Sequence, residues 1–207
     1  MASIISYVSE RHKRYRQRRY WEKLWTNPKR KPIWFDLERP RLPIVEAVNC
    51  GWIPSGARVL EIGCGRGLSA DWLAAQGFDV VAIDISEHAI QCARTKYGSH
   101  RKNLSFEVLD ITVPTELGTF DVMIDSGCFH CIPVQLHPYY GANVIEWSHR
   151  GTRLLIMSHA KRLSPEERQR QLETVLVPPF EISKVAQAAH PARPDSWRWT
   201  FEFVRNR

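Results

Sequence analysis

The feature that most constrains this chain is residues 59–73, VLEIGCGRGLSADWL: an apolar run, three glycines at alternate positions, then a segment with helical spacing. A nearly unbroken apolar run suits a strand covered on both faces. Gly63, Gly65 and Gly67 lack the side chain that forbids sharp turns, so the backbone can bend there and come close to a ligand. LSADWLAAQG then reads as a helix closed by Gly77. Strand, glycine turn and helix in succession are the opening unit of a parallel α/β sheet.

The unit recurs without internal sequence repeat. FDVVAID is a second strand, and SEHAIQCARTKYG a helix with Ser86 as N-cap and Gly98 at its end. LSFEVLD and FDVMIDSG are the third and fourth strands, residues 134–149 a helix, and GTRLLIMSH a fifth strand. SPEERQRQLETVL opens a helix with Ser164 as N-cap and Pro165 in the first turn, where a missing N–H costs nothing. PFEISKVAQAA and SWRWTFEFVRN alternate faces as two late strands with a short connection. The pattern predicts an α/β fold. It is a Rossmann-like, doubly wound, seven-stranded sheet in three α/β/α layers, mostly parallel, with an antiparallel hairpin strand at the edge.

The 207 residues suit one domain with its own core. Residues 1–43 form a basic and aromatic N-terminal segment, pinned by Pro28, Pro32, Pro40 and Pro43, and residues 44–207 form the α/β core. Of 29 Lys and Arg, ten fall within residues 11–31, which concentrates much of the +7 net charge there. Two readings stay open: a patch for nucleic acid or acidic membrane, or a solvated helix with Tyr15, Trp21 and Trp25 as anchors. No apolar run approaches the roughly 18 residues that cross a bilayer. The N-terminus lacks a signal-peptide apolar region. Five cysteines at irregular spacing are not a disulfide framework. The expected location is the cytoplasm.

Ligands of such a sheet bind beyond the C-terminal strand ends. The phosphate loop G-x-x-x-x-G-K-[ST] is absent, and the glycine spacing is G-x-G-x-G rather than the dinucleotide form. Glu61, two residues before the first glycine, would repel a pyrophosphate and welcome an ammonium group. Asp84, about twenty residues further on, stands where an acid accepts ribose hydroxyls. Asp110 closes the third strand and suits an adenine amino group. A cationic amino acid, a ribose and an adenine, in that order, describe S-adenosylmethionine.

VLEIGCGRG, VVAIDIS and LD resemble successive motifs of class I S-adenosylmethionine-dependent methyltransferases. KPIWFDLERPRLPIVEAV and DSGCFHCIP resemble a narrower group: the thiopurine S-methyltransferase-like, thiol, halide and tellurite methyltransferases. The resemblance implies S-adenosylmethionine as cofactor, left as S-adenosylhomocysteine, and a small-molecule methyl acceptor. It implies that Glu61, Gly63, Cys64, Gly65 and Gly67 line the methionine end, Asp84 and Ile85 hold the ribose, and Asp110 and Ile111 hold adenine. Asp125, Ser126 and Gly127 would face the sulfonium, with Trp25 and Trp34 as lid residues. The fifth strand departs from the group's pattern, carrying RGTRLLIMSH in place of a glycine pair.

Methyl transfer is an in-line displacement that gains chiefly from positioning. A thiolate or halide needs no base; an amine or hydroxyl often does. His130 is the first candidate, beside Asp125, and His159 the second; either could instead orient a soft anion. The CFHC of residues 128–131 is a single CxxC with no second ligand pair, so no stoichiometric zinc is expected. The place of an [ND]-P-P-[YFW] clamp for base amines is taken by Asp125, Ser126, Gly127 and Cys128. The alternatives to a small-molecule enzyme are an RNA or protein methyltransferase that uses the basic segment, and a non-catalytic binding module.

Overall fold

The structure is a computed structural model. It describes residues 2–27, 29, 39–98, 100–159, 163–190 and 193–206; residues 2–8, 159, 188–190 and 193–198 are described by backbone alone. Seven strands form one sheet: β1 (Arg58–Ile62), β2 (Asp79–Asp84), β3 (Leu104–Val108), β4 (Phe120–Asp125), β5 (Ser148–His159), β6 (Phe180–His190) and β7 (Arg193–Arg205). Six helices accompany them: α1 (Ala2–Thr26), α2 (Leu42–Asn49), α3 (Leu68–Ala75), α4 (Glu87–Tyr97), α5 (His137–Glu146) and α6 (Pro165–Leu176).

The strand order is β3-β2-β1-β4-β5-β7-β6. Alternate residues of the central strands enter different cores, because successive side chains of a strand point to opposite faces. Val59, Val80, Ala82, Val122 and Ile124 join Ile44, Leu73 and Ile90 of α2, α3 and α4. Leu60, Ile62, Val81, Met123 and Ile156 join Tyr140, Val144, Leu172 and Leu176 of α5 and α6. Two buried faces explain why these strands read as near-continuous apolar runs.

The late hairpin forms the antiparallel edge that the pattern predicts, and the structure fixes the order of its strands. β7 is antiparallel to both neighbours and lies between β5 and β6, so β6 forms the outermost strand. The α6 crossover carries β6 one strand beyond β5, and β7 turns back into the gap. Its Phe201 and Phe203 are fully buried there. The helix expected over residues 134–149 is shorter: a 3-10 turn at Val134–Leu136 leads into α5, and Ser148 already pairs with Phe120. Ser86 and Ser164 cap α4 and α6 as expected, and Ser164 with Glu167 completes a capping box.

The order of strand connection reverses between β1 and β4, which opens a crevice at their C-terminal ends. Ile62 pairs with both Ile83 and Asp125, so the ends of β1, β2 and β4 stand level. The glycine loop, Asp84 and the loop after Asp125 therefore emerge side by side.

Candidate active site

All three loop glycines have positive φ: 70° at Gly63, 56° at Gly65 and 80° at Gly67. Gly63 and Cys64 donate their N–H groups to the Ile83 carbonyl at 2.8 and 2.9 Å, which ties the loop to β2. A Cβ on Gly63 would meet Cys128 at 2.8 Å, and one on Gly65 would meet the Trp25 ring at 2.8 Å. Gly67 precedes α3 and lies against Phe106. The close approach read from sequence is therefore made to other parts of the protein, with the loop clamped between the β4 loop and α1.

Glu61 is buried beneath this loop. The Ala70 N–H and the Ser69 hydroxyl at the start of α3 bond to it, yet its Oε2 has no hydrogen-bond partner among the described residues. Burial pushes its pKa up to about 8, against the opposing pull of the Arg41 charge. An orphaned carboxylate oxygen in a dry site fits an ammonium group. Arg41, at the N-cap of α2, was missed from sequence; burial lowers its pKa, and the charges of Glu61 and Asp125 work against that.

Asp84 ends β2 and accepts from the N–H groups of Gly65 and Ser86, each at 2.9 Å. Burial pushes it up to about 6. Two carboxylate oxygens offer about four acceptor positions, so capacity remains for hydroxyl donors. Ile85 follows at partial burial. β3 stops at Val108, so Asp110 lies two residues beyond the strand; its Oδ1 accepts from the Thr112 N–H and hydroxyl. Ile111 packs into the α5/α6 core, and its carbonyl receives Asn143.

The basic helix α1 lies across the head of the sheet. It carries only two acids, Glu10 and Glu22, and both are docking contacts. Glu22 accepts from the Ser86 hydroxyl at 2.6 Å and the His88 N–H at 3.2 Å at the start of α4. The Tyr139 hydroxyl of α5 donates to Glu10. Between them, Gln17 donates to the Cys131 carbonyl, and Arg14 reaches the Thr112 hydroxyl and stacks over Tyr139. Trp25 is buried against Gly65. Two acids among many cations was the overlooked signal. Trp34 lies outside the described residues.

The β4 loop corrects one expectation. Asp125, expected to face the crevice as an open acid, is fully buried. Its Oδ1 accepts from the N–H groups of Gly127 at 2.8 Å and Cys128 at 2.6 Å; its Oδ2 accepts from the Phe129 N–H at 2.9 Å and the Tyr140 hydroxyl at 3.0 Å. Four donors saturate the carboxylate, so Asp125 holds the loop that follows it. Ser126 stands on top of that loop with a buried Oγ that has no partner among the described residues. His130 sits in the 3-10 turn Phe129–Cys131, folded over Gly127, where a Cβ would come within 3.0 Å of its ring. Burial raises the Cys64 and Cys128 thiols and pushes Cys131 up to about 12, so none is a ready thiolate. Among the described residues no group of three or more His, Cys, Asp or Glu is placed to hold a metal ion. For His159 only the backbone is described, paired with Arg198.

A doubly wound sheet with β7 inserted antiparallel, an acidic glycine loop and an acid at the end of β2 define the class I methyltransferase architecture. Comparison with known proteins agrees. Residues 59–147 match the family model described as a methyltransferase domain. An uncharacterized methyltransferase of Schizosaccharomyces pombe, C750.03c, is 36% identical over 104 residues, half of this chain and 72% of the relative. A thiopurine S-methyltransferase of Psychrobacter cryohalolentis is 25% identical over 79% of each chain. The fold is shared with a solved structure concerned with converting a disulfide bond into a thioacetal group during echinomycin biosynthesis, at TM-score 0.76 and 22% identity, over 91% of this chain and 92% of that one. The chain belongs to the S-adenosylmethionine-dependent methyltransferases. Among the described residues no helix is long and apolar enough to cross a membrane.

Proposed function

We propose that the protein methylates a small molecule at a soft nucleophile: a thiol, another chalcogen, a halide or a heteroaromatic nitrogen, in the manner of the thiopurine, thiol, halide and tellurite group. The observation that carries this reading is α1, fastened over the crevice at Glu10, Arg14, Gln17, Glu22 and Trp25. A site roofed by a helix admits a small acceptor; a polymer needs an open groove. The sulfur chemistry named for two similar proteins is in keeping with it.

In this reading Glu61 takes the donor's ammonium group and Arg41 its carboxylate. Asp84 and Ile85 take the ribose, and Asp110 and Ile111 bound the adenine. Cys64 and the three glycines form the floor, and Trp25 covers it. When bound, the donor supplies an electrophilic methyl on a sulfonium. The acceptor's electron pair forms the new bond to that methyl as the old carbon–sulfur bond breaks, and the departing pair stays on the donor's sulfur. An already ionised thiol needs no base, which suits a site where the Asp125 carboxylate is saturated. His130 orients the acceptor from above the β4 loop.

The test is incubation with methyl-labelled donor and a panel of thiols, iodide, heteroaromatic amines, tRNA and peptide. Label in a small product is expected. Label confined to tRNA or peptide overturns the reading in favour of a polymer substrate reached through the basic face of α1. Tight donor binding with no turnover of any acceptor points to a binding module.

A further inference from the structure

The buried polar atoms without a partner among the described residues cluster at the head of the sheet. Glu61 Oε2 belongs to the donor side. Ser126 Oγ, Ser158 Oγ and Arg168 Nε do not. Arg168 lies in the first turn of α6, only 8% exposed. Its Nη1 donates to Gln171 at 2.8 Å, and its guanidinium lies 6.0 Å from the centre of the Phe129 ring. Burial lowers its pKa, and Cys131 and Asp125 lie close enough to oppose that shift. Ser158, 3% exposed, lies near the end of β5, on the same face as Leu154 and Ile156 by strand alternation.

A buried guanidinium with an unused N–H needs an explanation, because an unsatisfied buried donor is costly. The charge of Asp125 does not use it: both Asp125 oxygens are filled by three backbone N–H groups and the Tyr140 hydroxyl. An arginine edge matches a carboxylate, which can accept two parallel N–H bonds. Ser126 follows Asp125, and Ser158 lies two residues beyond Ile156, the β5 partner of Asp125, so both hydroxyls belong to the same end of the sheet.

We propose that Arg168 binds a carboxylate on the methyl acceptor, assisted by Ser126 and Ser158, so that the preferred acceptor is a small organic acid that also carries the nucleophile. This rests on the small-molecule reading above and narrows it. Arg168 forms no bond to the transferred methyl; it sets the acceptor's position and selects its charge.

The probes are 4-mercaptobenzoate and its methyl ester, titrated into the protein loaded with S-adenosylhomocysteine and then assayed with methyl-labelled donor. The wild-type protein is expected to bind the acid at least about tenfold more tightly than the ester, the scale of one charge-assisted contact. Arg168→Met removes the preference, and Arg168→Lys keeps part of it, with S-adenosylhomocysteine affinity unchanged in both. If neither variant folds, the acid-to-ester ratio of the wild type decides alone. Equal affinity for acid and ester, or a ratio that survives in Arg168→Met, overturns the carboxylate site. Methylation of the ester without preference for the acid overturns it while the small-molecule reading stands. Arg168-dependent binding of the acid with no thiol methylated keeps the site and overturns the thiol chemistry.

Discussion

The two halves of the crevice, proposed above to hold the methyl donor and the acceptor, are built differently. On the donor half, Glu61, the glycine loop, Asp84 and Ser86 fall within 26 consecutive residues, and each bond joins neighbours in chain or sheet. On the acceptor half, Asp125 of β4 is met by Tyr140 of α5, Arg168 comes from α6, Ser158 from β5, and Gln17 of α1 crosses to Cys131. The first half is a local device inserted in a sheet. The second is an assembly that exists only once the chain is packed.

That contrast can be broken by experiment. The largest expected effect is on the acceptor half. Asp125→Ala strands three backbone N–H groups and one hydroxyl in a dry interior, and should cost about 3–5 kcal/mol of folding stability in urea titration. A variant with wild-type stability and only a lowered turnover number would return Asp125 to the reaction centre.

The donor half should respond in affinity instead. Asp84→Ala should weaken S-adenosylhomocysteine binding about 100-fold by calorimetry, the scale of one or two charge-assisted bonds. Unchanged affinity would remove Asp84 from the ribose site.

A pH series sharpens the same half. In the free protein Glu61 is held protonated up to about 8. Its contribution to stability is full below its ordinary value of 4.5 and is lost as pH rises through about 8. A cationic donor group prefers the ionised form, so donor affinity should rise between pH 6 and 8, by at most about tenfold per unit, with a proton released on binding. Calorimetry in buffers of different ionisation heat counts that proton. Affinity flat across this range in both the wild type and Glu61→Gln would break the assignment.

The smallest effect is expected at the rim of the acceptor half. Ser164→Ala removes the capping box of α6 and should cost about 1 kcal/mol. If α6 positions Arg168, acceptor affinity should fall more than donor affinity. Equal losses would mean that α6 only supports the fold.

The glycine loop and the acids beside it were legible in the sequence because their signals are short. A buried strand is apolar at nearly every position, a turn with positive φ needs glycine, and an acid two residues before that turn has one place to point. The bonding of Asp125 was not legible: it looks like a free acid at a strand end until the N–H groups of the next residues are seen to curl back on it. Arg168 resembles any other arginine of a charged helix, and only its burial distinguishes it. Glu10 and Glu22 were visible as the two acids of a basic helix, but not their partners more than sixty residues away.

By itself the sequence determined the strand–helix alternation, the three-layer α/β architecture, the capped helices and the glycine loop. All of these follow from periodicities and backbone preferences that act over a few residues. Only the tertiary structure decided that β7 lies inside β6, that α1 roofs the crevice, that Asp125 holds a loop, and that Arg168 is buried with an N–H unpartnered among the described residues. Those outcomes depend on which distant surfaces exclude water together, and no window of neighbouring residues records that.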